Sequence, residues 1–294
     1  MAKAQAARDV PIVEELHFKS DSAFLCLLLN RRTGFIRVID FRSGALPAKR
    51  LFIQSVAKRE GVEKVITLVE KDEVSSWTRV GFVREGTIPG FYKRSDGHLC
   101  GCLINDRTAS IEVSEEGVKR AERTVTHGKK NAREVPDDLS MVEVAECDDS
   151  VALKARDEVW RKGRGLNSFD EFGRDAERVF VEAVAKRGKP NYLAVEYQDC
   201  FGHSLFEVLR APEDDLDVLA LTAGLRKMAD DLTARGIVSG FAFAPSDDIG
   251  LATAYLAAGF RKTGLLAGGI AVGGERKDAI LWTRKLANPA DEET

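Results

Sequence analysis

No run of about 18 apolar residues, the minimum for a helix that crosses a bilayer, occurs in the 294-residue chain. A basic and apolar leader is also missing: the polar "MAKAQAARDV" predicts no signal peptide, and a cytoplasmic location is expected. Cysteine is scarce. Cys26, Cys100, Cys102, Cys147 and Cys200 form no C-x-x-C pair, and five is an odd number, which argues against a disulfide framework. His17, His98, His127 and His203 show no H-x-x-x-H spacing. Cys100-Gly-Cys102 offers two soft ligands where a structural site uses four, so no metal is expected. Charge of one sign is lacking too. A formal net charge of −3 gives no bulk attraction to nucleic acid or anionic membrane, and neither is an expected partner.

What remains is ordinary for a soluble globular protein of about two domains, with 44 % hydrophobic and 31 % charged residues. "SAFLCLLLN" (22–30) and "GFIRVIDF" (34–41) read as strands joined by the "RRTG" turn, followed by a helix over "LPAKRLFIQSVAKREG". A strand at 62–70, a short helix at 72–81 and a closing strand pair complete the first domain, residues 1–108. Residues 109–139 are strongly charged, with a basic cluster at Lys129, Lys130 and Arg133, and predict an exposed helix and linker.

From residue 140 to 294 the pattern predicts a strand, two helices (149–163 and 168–188) and two paired strands. Helix, strand, helix and two closing strands then follow, as in the first domain. The recurrence is visible in the residues themselves. "SSWTRVGFVREGTIPGFYK" (75–93) and "ATAYLAAGFRKTGLLAGGI" (252–270) each run from a helix through Gly-Phe into a strand, and Gly259-Phe260 follows Gly81-Phe82 by 178 positions. Trp77 and Tyr255 stand four places before each glycine. The chain reads as an internal duplication with an abbreviated first copy.

A short helix ending aromatic-x-x-x-Gly-Phe after strand–loop–helix–strand resembles the GNAT superfamily of N-acetyltransferases. The turn Ile88-Pro89-Gly90-Phe91-Tyr92 and the C-terminal Ser246, Gly250, Gly259, Gly264, Gly274 and Trp282 resemble the β-lysine N-acetyltransferases over about 62–104 and 236–286. The resemblance implies an α/β (α+β) fold of tandem GNAT-like domains, each a twisted mixed sheet flanked by helices. It also implies acetyl-CoA as co-substrate, its diphosphate held by backbone N–H groups at a helix N-terminus.

Residue by residue, the resemblance makes Tyr255 the acid, with Glu207 on "LFEVLRA" the candidate base. In the second copy the glycine-rich phosphate loop falls on "EDDLDVLAL" (213–221), with Leu219 and Leu221 at cofactor positions. No glycine is present there, and Glu213, Asp214, Asp215 and Asp217 would repel phosphate. The first copy offers Arg42, Ser43, Gly44 and Ala45 instead, small and basic, but has Trp77 where the acid should be, and an indole N–H has no acid chemistry to offer. The asparagine-rich run of the β-lysine enzymes is replaced by "AGGIAVGGERKD", which argues against β-lysine itself. Two readings stay open. One is an acetyl-CoA-dependent N-acetyltransferase for a small amine or a protein amino group. The other is a catalytically inactive GNAT-fold protein that binds or regulates. Exposed sheet edges would allow a homodimer in either case.

Overall fold

The computed structural model describes residues 10–21, 24–40, 46–104, 112–170, 176–198 and 202–288. The chain opens with β1 (Val13–Lys19), β2 (Phe24–Asn30), β3 (Phe35–Asp40), α1 (Leu46–Arg59), β4 (Lys64–Val69), α2 (Val74–Arg79), β5 (Val83–Ile88) and β6 (Gly97–Leu103). Three elements follow: α3 (Glu115–Ala132), β7 (Val142–Glu146) and α4 (Asp149–Arg161). The opening succession then returns as β8 (Glu177–Ala185), β9 (Asn191–Gln198), β10 (His203–Val208), α5 (Asp215–Ala234), β11 (Ser239–Pro245), α6 (Ile249–Ala257), β12 (Arg261–Val272) and β13 (Glu275–Lys285).

All these strands lie in one mixed sheet, ordered β1-β2-β3-β4-β6-β5-β12-β13-β11-β10-β9-β8-β7. Apart from β7, which adds an outer strand beyond β8, the order repeats inward from each side: β1-β2-β3-β4-β6-β5 matches β8-β9-β10-β11-β13-β12. Neighbours are antiparallel except β3–β4 and β10–β11, each parallel over four residues, and α1 and α5 supply the crossovers those parallel pairs need.

The halves meet where β5 pairs with β12, and the paired residues are Gly86 and Gly264, again 178 positions apart. A residue that faces its own counterpart lies on a two-fold axis, here running through the sheet. Glycine at both positions lets the strands approach closely, most tightly at Gly264. A Cβ on Gly264 would lie 2.6 Å from the Glu85 carbonyl oxygen and 2.7 Å from Gly86 Cα. A buried ion pair adjoins this seam. Lys64 Nζ lies 2.7 Å from both Glu85 oxygens and donates to the Ala267 carbonyl at 2.8 Å, while Ala267 N–H donates to Glu85 at 3.0 Å. It ties β4 and β5 of one half to β12 of the other.

Strand alternation gives the sheet two unlike faces. Ile36, Val38, Val65 and Val69 pack with Trp77 and Phe82 under α1 and α2, and Leu193, Val195, Phe206 and Val208 pack under α5. The opposite face presents Arg37, Ile66, Leu68, Leu205, Glu207, Phe241 and Phe243, and α4 covers only its outer part, against Phe169, Phe180 and Leu209.

Three sequence expectations change. The helix expected at 168–188 is not there: Glu177–Ala185 is β8, with Val181 and Ala183 facing α5 while Phe180 faces α4. Apolar residues on both faces of a strand fill both parities and hide the period of two. β1 was not foreseen, because "VEELHFK" carries the charge usual at a sheet edge. The charged helix is α3, but it is not a solvated connector. Ala121 and Val125 are buried, and Gly128 packs so close to α6 that a Cβ would meet that of Ala252 at 2.9 Å. Lys129, Lys130 and Arg133 lie on its exposed side. Among the described residues no helix is long and apolar enough to cross a membrane.

Candidate functional site

On the side of the sheet away from α1, α2, α5 and α6, a cavity of about 100 Å³ lies across the two halves. Phe35, Ile66 and Leu68 from β3 and β4 form one wall, and Leu205, Phe241 and Phe243 from β10 and β11 the other. These strands are counterparts in the two halves, so the cavity sits near the two-fold axis. Parallel pairing of β10 with β11 ends at Phe206 and Ala242, and Glu207 is the next residue on β10.

Five charged side chains line the cavity: Arg37, Asp170, Arg178, Glu207 and Arg276. Three are committed within the protein. Asp170 pairs with Arg32 and Arg156, each at 2.9 Å. Arg178 pairs with Glu196 and donates to the Asp170 carbonyl at 2.8 Å. Arg276 donates to the carbonyls of Thr33 and Gly34 at 2.6 and 2.7 Å, and pairs with Glu63 at 3.2 Å.

The other two are not. Arg37 and Glu207 make no hydrogen bond or ion pair with any described residue. Glu207 is only 9 % exposed, and burial pushes its carboxyl up to about 7, with Arg178 pulling it back and Glu196 and Asp170 adding to the rise. Arg37 is half-buried, and desolvation lowers its affinity for its proton against the opposing pull of Glu196. Its charge is felt next door, where burial and then Arg37 drive His203 down to about 3. The neutral His203 ring stacks 3.9 Å from Phe91, so the Ile88–Tyr92 turn of the first half docks on β10 of the second.

Tyr255 is placed differently from the resemblance. Its side chain is fully buried on α6, stacked 5.8 Å from Trp282 and edge-on to Phe260 at 5.4 Å, and its hydroxyl has no hydrogen-bond partner among the described residues. Burial, then the Glu207 and Asp248 carboxylates, raise its pKa. Trp77 makes the same edge-on contact with Phe82, at 4.9 Å, in the first half. The shared contact gives both aromatics a packing role, and only Glu207 opens on the cavity.

The N-terminus of α5 is closed by its own acids. Asp214 accepts from Asp217 N–H at 2.9 Å, and Asp217 accepts from Glu213 N–H at 2.9 Å, from Asn191 at 2.8 Å and from Arg210 at 2.8 Å. Two of the amides at this end, those of Glu213 and Asp217, are thus already bonded to carboxylates of the protein. Leu221 is buried in the core and Leu219 packs against it. Arg42, Ser43, Gly44 and Ala45 lie outside the described residues. Beside them α1 presents an exposed Arg50, whose guanidinium sits over Gly81.

Sequence reasoning missed Arg37, because nothing local marks a strand arginine that faces a cavity. It also missed the cross-strand grouping of Glu15, His17 and Cys26, whose ligand atoms lie within 4.8 Å of one another on β1 and β2, away from the cavity.

No family model matches the chain, and no curated protein matches it. Solved structures do. The ribosomal-protein-S18-alanine N-acetyltransferase of Escherichia coli aligns at 15 % identity and a TM-score of 0.38, over 52 % of this chain and 99 % of that one. A GNAT-superfamily phosphinothricin acetyltransferase from Sinorhizobium meliloti, in complex with AcCoA, aligns at 16 % and 0.40, over 52 % and 95 %. The spermidine N-acetyltransferase of Vibrio cholerae with CoA and spermine aligns at 12 % and 0.37, over 50 % and 96 %. All three are acetyltransferases. Each spans about half of the present chain.

Proposed function

We propose that the protein is an N-acetyltransferase that moves an acetyl group from acetyl-CoA to a primary amine, with Glu207 receiving the proton of the incoming amino group. The observation that carries this reading is the Glu207 carboxyl, unpartnered, nine-tenths buried and facing a cavity, with a pKa near neutrality. A general base works best with its pKa near the working pH, and such a group contributes roughly 10²–10⁴-fold. Acetyl-CoA supplies the activated acetyl group. With α5 closed, the basic start of α1 is the place proposed for its diphosphate.

The test is release of free CoA thiol from acetyl-CoA over a panel of amines and amino-terminal peptides. Parent activity should follow a group of pKa about 7, and Glu207→Gln should lower the rate by roughly 10²-fold or more and remove that limb of the pH profile. A second reading is favoured by the capped α5 N-terminus and the buried Tyr255: a protein of this fold that binds its ligand without turnover. Binding in the cavity with no thiol release from any acceptor would decide for it.

A further inference from the structure

Arg37 and Glu207 are the two charges in the cavity with no hydrogen-bond or ion-pair partner among the described residues, they are of opposite sign, and they come from opposite halves of the chain. They do not neutralise each other. The charges acting on Glu207 are Arg178, Glu196 and Asp170, and those acting on Arg37 are Glu196 and Tyr92. The wall between them is apolar, formed by Phe35, Ile66, Leu68, Leu205, Phe241 and Phe243. An unpaired guanidinium and an unpaired carboxyl in such surroundings each lack the hydrogen bonds they would have in water, and a ligand that satisfies both recovers them.

We propose that the cavity selects a small monoamino carboxylate, with Arg37 holding its carboxylate, Glu207 meeting its amino group and the apolar wall covering the hydrocarbon between. This names the acceptor class of the acetyl-transfer reading and rests on it for the fate of the amine; the binding itself does not need turnover. Guanidinium is suited to the first task because its planar fork can bond both carboxylate oxygens. One unpartnered carboxyl provides for one amine. A diamino acid such as β-lysine would bring a second ammonium with no unpaired carboxylate among the described lining residues to meet it.

Calorimetric titration of the full chain, without acetyl-CoA, tests this with the ω-amino acid series from glycine to 6-aminohexanoate, and with butylamine and butyrate as single-charge probes. At least one member of the series should bind at least about tenfold tighter than either single-charge probe. Arg37→Met should weaken that ligand by about tenfold or more and leave butylamine unchanged. Arg37→Lys, which keeps the charge without the fork, should recover part of the loss. Thermal melts of both variants establish that they are folded.

Equal binding of butylamine and the best amino acid, insensitivity to Arg37→Met, or no binding across the series at millimolar concentration would each overturn the proposal. Thiol release is read separately. Arg37-dependent binding without turnover sinks the acetyl-transfer reading and leaves this one. Turnover of plain alkylamines that ignores Arg37 does the reverse.

Discussion

Gly86 and Gly264 face each other across the seam of the sheet, and each is the counterpart of the other in its own half. The obstacles to a side chain differ between them. A Cβ on Gly264 would strike backbone, the Glu85 oxygen at 2.6 Å and Gly86 Cα at 2.7 Å, whereas one on Gly86 first meets the end of the Leu281 side chain at 2.6 Å. Gly264→Ala should therefore cost more than Gly86→Ala, with Gly264→Ala at or above the upper end of the roughly 1–3 kcal/mol expected of overpacking. Urea titrations of the two variants check the order. Equal losses would mean that the seam yields more readily than its spacing implies.

The Lys64–Glu85 pair is fully enclosed, with side-chain exposures of 0 % and 3 %. Lys64→Met leaves the Glu85 carboxylate with only the Ala267 amide and should cost about 3–5 kcal/mol, while Lys64→Met with Glu85→Gln should recover much of that loss. A double-mutant cycle measures the coupling. Because Lys64 also bonds the Ala267 carbonyl on β12, broadening or splitting of the unfolding transition in the single variant would report loosened halves.

Glu207→Gln should raise stability while abolishing the proposed chemistry. Burial lifts the carboxyl from 4.5 to about 7, so the folded protein holds this proton more tightly than the unfolded chain. That contribution is complete below pH 4.5 and is lost as pH rises through about 7. The variant has no such proton to lose. Its advantage over the parent should grow between pH 5 and 8, to on the order of 1–3 kcal/mol, and melts at the two pH values read it. An advantage independent of pH would show that Glu207 is already ionised throughout.

Tyr255→Phe removes a fully buried hydroxyl with no hydrogen-bond partner among the described residues. The stacked Trp282 and edge-on Phe260 contacts survive, so stability should hold or rise by about 1 kcal/mol. Turnover within a few-fold of the parent is the outcome for a packing residue. A loss of roughly 10²-fold would return the hydroxyl to the reaction as an acid.

Much of the fold was legible because it is written locally. The helix over 46–59, the hairpin turn at 31–34 and the repeated Gly-Phe all follow from period, turn residues and glycines. β8 was not legible, since "ERVFVEAVA" buries residues on both faces and has the composition of a helix. Of the cavity's lining, Glu207 was named from the sequence, as a carboxylate on a strand of the second copy. Arg37 was not. It matters only through a cavity made by strands from distant parts of the chain, and a strand of "FIRVID" reads the same wherever its arginine points. The resemblance also led to Tyr255, where the position survives but opens on nothing.

The seam on the axis has one further consequence. Two identical chains meeting across such an axis must present identical residues on its two sides, so a cavity there could offer two arginines or two glutamates but never one of each. Written into a single polypeptide, the halves are free to diverge. Where β3 carries Arg37, the matching place on β10, set by the two parallel pairings, is Leu205, and where β10 carries Glu207, the matching place on β3 is Ile39. Covalent linkage is what allows a nearly symmetric frame to tell one end of a ligand from the other.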